Sequence, residues 1–242
     1  MKLNCDLGES YGNWKMGLDS EAMPLINMAN IACGFHASDP DIMAATVLSA
    51  KNEKVIIGAH PGYNDKEGFG RRSIPHTPSQ ITNLVIYQTG ALQAICLAHQ
   101  TVVSYIKPHG SLYNDMMSSS TVYTAILKAA SACMPIPALM ILASPDNDQY
   151  IRLAEQYKVK LIFEAFADRA YTSDGCLAPR SMAGSVYHDS AQIIQQVQQI
   201  SQFGSVTTIE GTTLPLTADT ICVHGDNPKS IAMLKQIKEE LC

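Results

Sequence analysis

Short apolar runs rich in β-branched residues recur along this 242-residue chain, and most of them stop at a histidine, an acid or a lysine. The clearest is Val55-Ile56-Ile57-Gly58-Ala59, which ends at His60-Pro61-Gly62. A run of that length, closed by turn formers, predicts a buried strand with His60 just past its end. The same reading predicts strands at residues 3–7, 29–34, 101–106, 138–142, 159–163 and 221–223, most of them separated by helical segments. Asp39-Pro40 and Thr77-Pro78-Ser79-Gln80 are helix starts, the second with capping-box spacing. Further helices are expected at residues 119–132, 148–157, 190–203 and from the Asn227-Pro228 cap to residue 241. Strand–helix alternation implies a parallel sheet with right-handed crossovers. Chemistry after nearly every strand favours a closed seven-stranded (β/α) barrel, spanning residues 1–242 as one domain. An open doubly wound sheet would gather its chemistry at one switch point instead.

Composition narrows the function classes. Hydrophobic residues make up 46% and charged residues 16%, which suits a large packed core rather than disorder. A net charge of −5 without a basic run argues against nucleic acid as a partner. No uninterrupted apolar stretch reads as a membrane span, and the acidic start at Asp6 does not read as a signal peptide, so a cytoplasmic location is expected. The seven cysteines are widely spaced with no Cys-x-x-Cys pair, against a disulfide framework or structural zinc site.

The residues at the predicted strand ends are Asp6 and Glu9, His36, His60, Lys107 and His109, Glu164, and His224 with Asp226. In a barrel these side chains meet at one mouth. Carboxylates and histidines together serve as general acid and base. Asp6, His36 and His60 could also supply three ligands to a divalent ion, although no His-x-x-x-His or His-Glu-x-x-His pattern marks a bound metal. Lys107, aimed by Pro108, is a candidate to stabilise an oxyanion or phosphoryl group, the alternative being a salt bridge to Glu164. Arg71 in Gly68-Phe69-Gly70-Arg71-Arg72 and Arg169 in the long polar loop of residues 165–185 are candidate clamps for a carboxylate or phosphate. The P-loop, Gly-x-Ser-x-Gly and Gly-x-Gly-x-x-Gly signatures are absent. His76, His99 and His188 are read as surface or helix-end residues.

Seven blocks in order then carry a resemblance: Asn4-Cys5-Asp6-Leu7-Gly8-Glu9-Ser10, Asn30-Ile31-Ala32-Cys33-Gly34-Phe35-His36-Ala37, Gly58-Ala59-His60-Pro61-Gly62, Gly68-Phe69-Gly70-Arg71-Arg72, Lys107-Pro108-His109-Gly110, Phe166-Ala167-Asp168-Arg169-Ala170-Tyr171 and Cys222-Val223-His224-Gly225-Asp226. Together they resemble the family of 5-oxoprolinase A-subunits, of LamB/YcsF (lactam utilisation) type. The resemblance implies a distorted TIM-like barrel of the glycoside hydrolase and deacetylase superfamily. It also implies ATP-dependent opening of 5-oxoproline to L-glutamate, with Mg2+ accompanying the nucleotide and subunits B and C as partners. On that reading Asp6, His60, Lys107, His109 and Glu164 are the expected catalytic group. Glu9, His36, Arg71, Arg169, His224 and Asp226 are the expected substrate-binding group. Two rivals stay open: a metal-dependent amide or N-acetyl hydrolase without ATP, and a non-catalytic lactam-binding protein within the complex.

Overall fold

The structure, a computed structural model, describes residues 1–223 and 228–241. Seven parallel strands close into a barrel. They are β1 (Lys2–Leu7), β2 (Met28–Ala32), β3 (Ile56–His60), β4 (Tyr105–Ile106), β5 (Ala138–Leu142), β6 (Leu161–Phe166) and, after a small antiparallel hairpin of β7 (Ser205–Thr207) with β8 (Thr213–Pro215), β9 (Thr220–Cys222). The order around the barrel is that of the chain, β9 pairing with both β6 and β1. The helices are α1 (Asp19–Ala22), α2 (Pro40–Asn52), α3 (Pro78–Ala98), α4 (Gly110–Ser118), α5 (Ser120–Ala132), α6 (Asp148–Gln156), α7 (Ser190–Phe203) and α8 (Pro228–Leu241).

The predicted helix starts are formed as expected from their chemistry. Asp39 accepts from the backbone N–H groups of Asp41 and Ile42, and Thr77 and Gln80 make a reciprocal capping box. At 21 residues, α3 has the length and apolar composition of a membrane span. Here it is a layer of the barrel wall, with Ile81, Leu84, Val85, Leu92 and Cys96 buried on its inner face. The six cysteines among the described residues are free.

Several expected elements differ, each for a physical reason. β4 shrinks to two residues because the approach to it bonds elsewhere: the Val103 N–H donates to the side chain of Gln93. Helix α4 starts at Gly110, directly after His109; Gly110 has φ +53, and a Cβ there would come within 2.5 Å of the Gly70 carbonyl oxygen. The helix α7 is rich in glutamine, a polar residue usually found at the surface, yet Gln196 is buried. Its amide donates to the carbonyls of Phe166, Ala167 and Arg169, anchoring the start of the long loop.

Strand alternation decides what fills the barrel. Leu3, Cys5 and Leu7 join the main core between sheet and helices, whereas Asn4 and Asp6 join the polar network inside the barrel. A small apolar plug of Met28, Tyr105 and Met140 lies within, and above it runs a chain of hydrogen bonds. The Tyr105 hydroxyl donates to Asn30 (2.6 Å), Asn30 donates to Asn4 and Asp6 (both 2.8 Å), and Asn4 donates to Thr220 (3.0 Å). Asn4, Asn30, Tyr105 and Thr220 are fully buried, so each needs its partner.

Gly58 makes room for this layer. A Cβ at that position would sit 2.2 Å from the Tyr105 ring. Gly58→Ala is therefore expected to destabilise the protein by about 1–3 kcal/mol through overpacking, read as a lower midpoint in urea unfolding. An unchanged midpoint would mean that the ring has freedom the structure denies it.

Candidate active site

Lys107 follows β4 and points into the barrel, where its side chain is 3% exposed. Its ammonium lies 2.7 Å from Glu164 Oε1 and 2.9 Å from Asp6 Oδ1, and it also donates to Asn4 Oδ1 and Cys222 Sγ. Burial alone opposes the charge and is the largest influence on it. The neighbouring Asp6, Cys222 and Glu164 outweigh that effect and hold the Lys107 pKa well above the usual lysine value. The amine is thus a fixed cation.

Glu164 was expected just past the end of its strand. Because β6 extends to Phe166, Glu164 sits mid-strand, paired in register with Leu142 and Thr220, and is fully buried. The Tyr113 hydroxyl donates to its second oxygen at 3.1 Å. Glu164 is not among the residues lining the cavity, and its contact with the site runs through Lys107.

Asp6, Glu9, His36, His60 and His109 do converge, on the wall of a cavity of about 1070 Å³ at the C-terminal ends of the strands. His60 is the last residue of β3 rather than the first beyond it. Its Nδ1 faces the Lys107 carbonyl oxygen at 2.7 Å, and its Nε2 lies 2.9 Å from His109 Nδ1 and 3.3 Å from Asp6 Oδ2. His109 Nε2 faces the carbonyl of Phe69 at 2.8 Å. His36 stacks on His109 with centroids 3.7 Å apart and places Nε2 3.2 Å from Glu9 Oε1. Burial first, then neighbouring imidazoles, push the pKa values of His36 and His109 well below that of an ordinary histidine, so both rings are neutral at pH 7.

The glycine-rich segment is the lid of this cluster. Phe69 and Gly70 both have positive φ (53° and 63°), and a Cβ on Gly70 would come within 2.7 Å of His109 and 2.8 Å of His36. Beneath it, Asp65 accepts from the Gly68 N–H and from the Arg72 guanidinium. Arg72 therefore serves the loop, and Arg71 lines the cavity. Arg169 also reaches the cavity wall, but it is buried and donates to the carbonyls of Ser185 and Ala178. Those two bonds tie the long loop together beside the cavity. His224 and Asp226 lie outside the described residues.

Asn4, Asn30, Tyr105, Tyr113 and Thr220 were not among the sequence candidates. A signal for three of them was present: Asn4 and Tyr105 precede Asp6 and Lys107 by two residues, and Thr220 precedes Cys222 likewise. At the rim, Tyr11, Trp14, Lys66 and Arg180 add to the cavity lining.

A closed parallel barrel with charged and imidazole groups gathered at its strand C-termini is the architecture of barrel proteins that carry their site at that face. The chain belongs to the LamB/YcsF family, whose model matches residues 1–242. It is 59% identical over 239 residues to the 5-oxoprolinase A-subunit of Vibrio vulnificus (strain CMCP6), covering 99% of this chain and 96% of that one. It is 49% identical over 239 residues to the 5-oxoprolinase A-subunit of Pseudomonas fluorescens, covering 99% and 96%. Among solved structures, a lactam utilization protein from Thermus thermophilus matches with a TM-score of 0.91 at 36% identity, covering 100% of this chain and 95% of that one.

The geometry makes two outcomes measurable. Lys107→Met leaves two carboxylates facing an apolar group and is expected to cost about 3–5 kcal/mol of stability; adding Glu164→Gln should restore part of the loss. Urea unfolding of the single and double variants checks both. The second concerns Asp65, which the Arg72 guanidinium holds at about 2, down from an ordinary 3.8. A depressed carboxylate stabilises the fold fully above its unfolded pKa and loses that contribution as pH falls through the folded one. The stability difference between wild type and Asp65→Asn should therefore be constant near neutrality and shrink between pH 3.8 and about 2. A difference that persists unchanged in acid would show that the carboxylate is not the group holding the loop.

Proposed function

We propose that this chain is the lactam-opening component of an ATP-dependent 5-oxoprolinase that works with subunits B and C. Its relatives' names supply the substrate class. The observation that carries the hydrolytic role is the Asp6–Lys107 pair, a carboxylate and a fixed cation 2.9 Å apart at the cavity wall. A five-membered lactam is a resonance-stabilised amide that water attacks slowly. Transfer of a phosphoryl group from ATP to the amide oxygen would make the ring carbon electrophilic. Water then adds to that carbon, the ring C–N bond breaks with the nitrogen taking a proton, and a second water releases phosphate from the acyl phosphate.

This chain's own residues match the needs of that sequence. Asp6 has one oxygen committed to Lys107 and the other beside His60 at the cavity wall, so it is the group to accept a proton from water. Lys107 faces developing negative charge from a dehydrated position, where such stabilisation is strongest. Arg71, with Lys66 and Arg180 along the same cavity, presents positive charge to the substrate carboxylate and to phosphoryl oxygens. The cavity exceeds what a five-membered lactam alone requires, leaving room for its phosphorylated form.

The test is formation of glutamate and ADP from 5-oxoproline by the reconstituted complex. Asp6→Asn should lower kcat/KM by about 10²–10⁴-fold, and Arg71→Ala should chiefly raise KM. Near-normal turnover by Asp6→Asn would remove the proposal. Glutamate formation without ATP would support the nucleotide-independent hydrolase instead. Unimpaired turnover by every cavity variant would leave this chain a binding component whose partners do the chemistry.

A further inference from the structure

The hydrogen-bond partners of the histidines fix where their protons are. A carbonyl oxygen only accepts, so His60 carries a proton on Nδ1, toward Lys107, and His109 on Nε2, toward Phe69. The remaining nitrogens, His60 Nε2 and His109 Nδ1, face each other at 2.9 Å, and Asp6 Oδ2 lies 3.3 Å from the same His60 nitrogen. With each far nitrogen committed to a carbonyl, the facing pair is satisfied only by a shared cation, a proton or a metal ion.

The rest of the cluster is equally rich in donors of electron pairs. His36 and Glu9 complete a group of four whose ligand atoms all lie within 4.8 Å of one another. His36 Nδ1 is buried with no hydrogen-bond partner, and His36 Nε2 faces Glu9 Oε1 at 3.2 Å, where an ion would take the place of the proton between them. A tetrahedral ion with bonds of about 2.0–2.1 Å holds its ligand atoms roughly 3.3 Å apart, inside the spread observed. The outer contacts fit too: histidine ligands are commonly oriented by a carbonyl on the far ring nitrogen, and His60 and His109 both are. One of those carbonyls belongs to Phe69, a bulky residue held at φ +53. That backbone conformation is unfavourable for a phenylalanine, and it aims the oxygen at His109.

From this geometry we propose that Glu9, His36, His60 and His109 form a binding site for one divalent transition-metal ion. Asp6, which the sequence grouped with His36 and His60 as possible ligands, is replaced in the set by Glu9, because its Oδ1 is taken up by Lys107 and Asn30. Three imidazoles and a carboxylate select a borderline ion such as Zn2+ or Co2+, and are poor ligands for Mg2+. The ion is thus distinct from the Mg2+ that accompanies a nucleotide. An ion there would stand beside Asp6 in the cavity, where it would polarise a substrate oxygen or acidify a bound water.

The test measures binding by this chain alone, without substrate, nucleotide or partner, so it can fail while the lactam reading stands. Chelator-stripped protein is titrated with Zn2+ and with Co2+, and bound metal is counted by elemental analysis. One equivalent is expected, with the visible absorption of tetrahedral Co2+ and no sulfur-to-cobalt charge-transfer band. Glu9→Gln, which keeps the side-chain shape, and His109→Ala should each weaken binding by more than about tenfold, while Cys176→Ser at an exposed thiol binds as wild type. No stoichiometric binding by wild type, a thiolate charge-transfer band, or undiminished binding in folded Glu9→Gln would each overturn the proposal. Should His109→Ala fail to fold, the wild-type cobalt spectrum and Glu9→Gln decide the matter.

Discussion

A lysine ammonium inside a closed barrel is the constraint around which this molecule is arranged. Lys107 has no water to solvate it, so its charge survives only because Glu164 lies 2.7 Å away and Asp6 2.9 Å away. Those carboxylates need partners of their own, which come from Tyr113 and Asn30. Asn30 in turn is held by Tyr105 and Asn4, and Tyr105 fits because Gly58 has no side chain. The chain of necessity thus runs from one charge through five strands. A barrel interior is ordinarily filled with branched apolar side chains; here the apolar plug is small and a network of buried polar side chains adjoins it.

The site is built by dividing its residues between holding and exposing. Glu164, Asn4 and Asn30 are fully buried, whereas Asp6 and Glu9 keep 15% and 10% of their side chains accessible. Lys107 links the two groups, in contact with buried Glu164 on one side and Asp6 on the other. The glycine-rich lid works the same way. Asp65 and Arg72 lock the loop from below, so that the Phe69 carbonyl and the small Gly70 can approach the histidines from above.

Much of this is legible from local pattern because strand ends and helix caps are local. The 7 barrel strands, the Asp39 and Thr77 caps and the convergence of His36, His60, Lys107 and His109 all follow from short runs read against strand and helix periods. The differences share a cause. Apolar composition ends at Phe163, which puts Glu164 outside its strand, while pairing continues to Glu164 with β5 and to Phe166 with β9. In α7 the apolar residues Ile193, Val197 and Ile200 mark the inner face, and only the loop beneath Gln196 supplies the carbonyls that its amide satisfies. Nothing local to Arg169 shows that Ala178 and Ser185 fold back onto it.

By itself, the sequence determined the alternation of strands and helices, the type of chemistry at each strand end and the family to which those blocks belong. These depend on side-chain character and spacing over a few residues. Tertiary structure alone decided which acid became a buried counter-ion and which stayed at the cavity wall. It also decided that two histidine ring nitrogens would face each other, since both outcomes depend on distances between strands far apart in the chain.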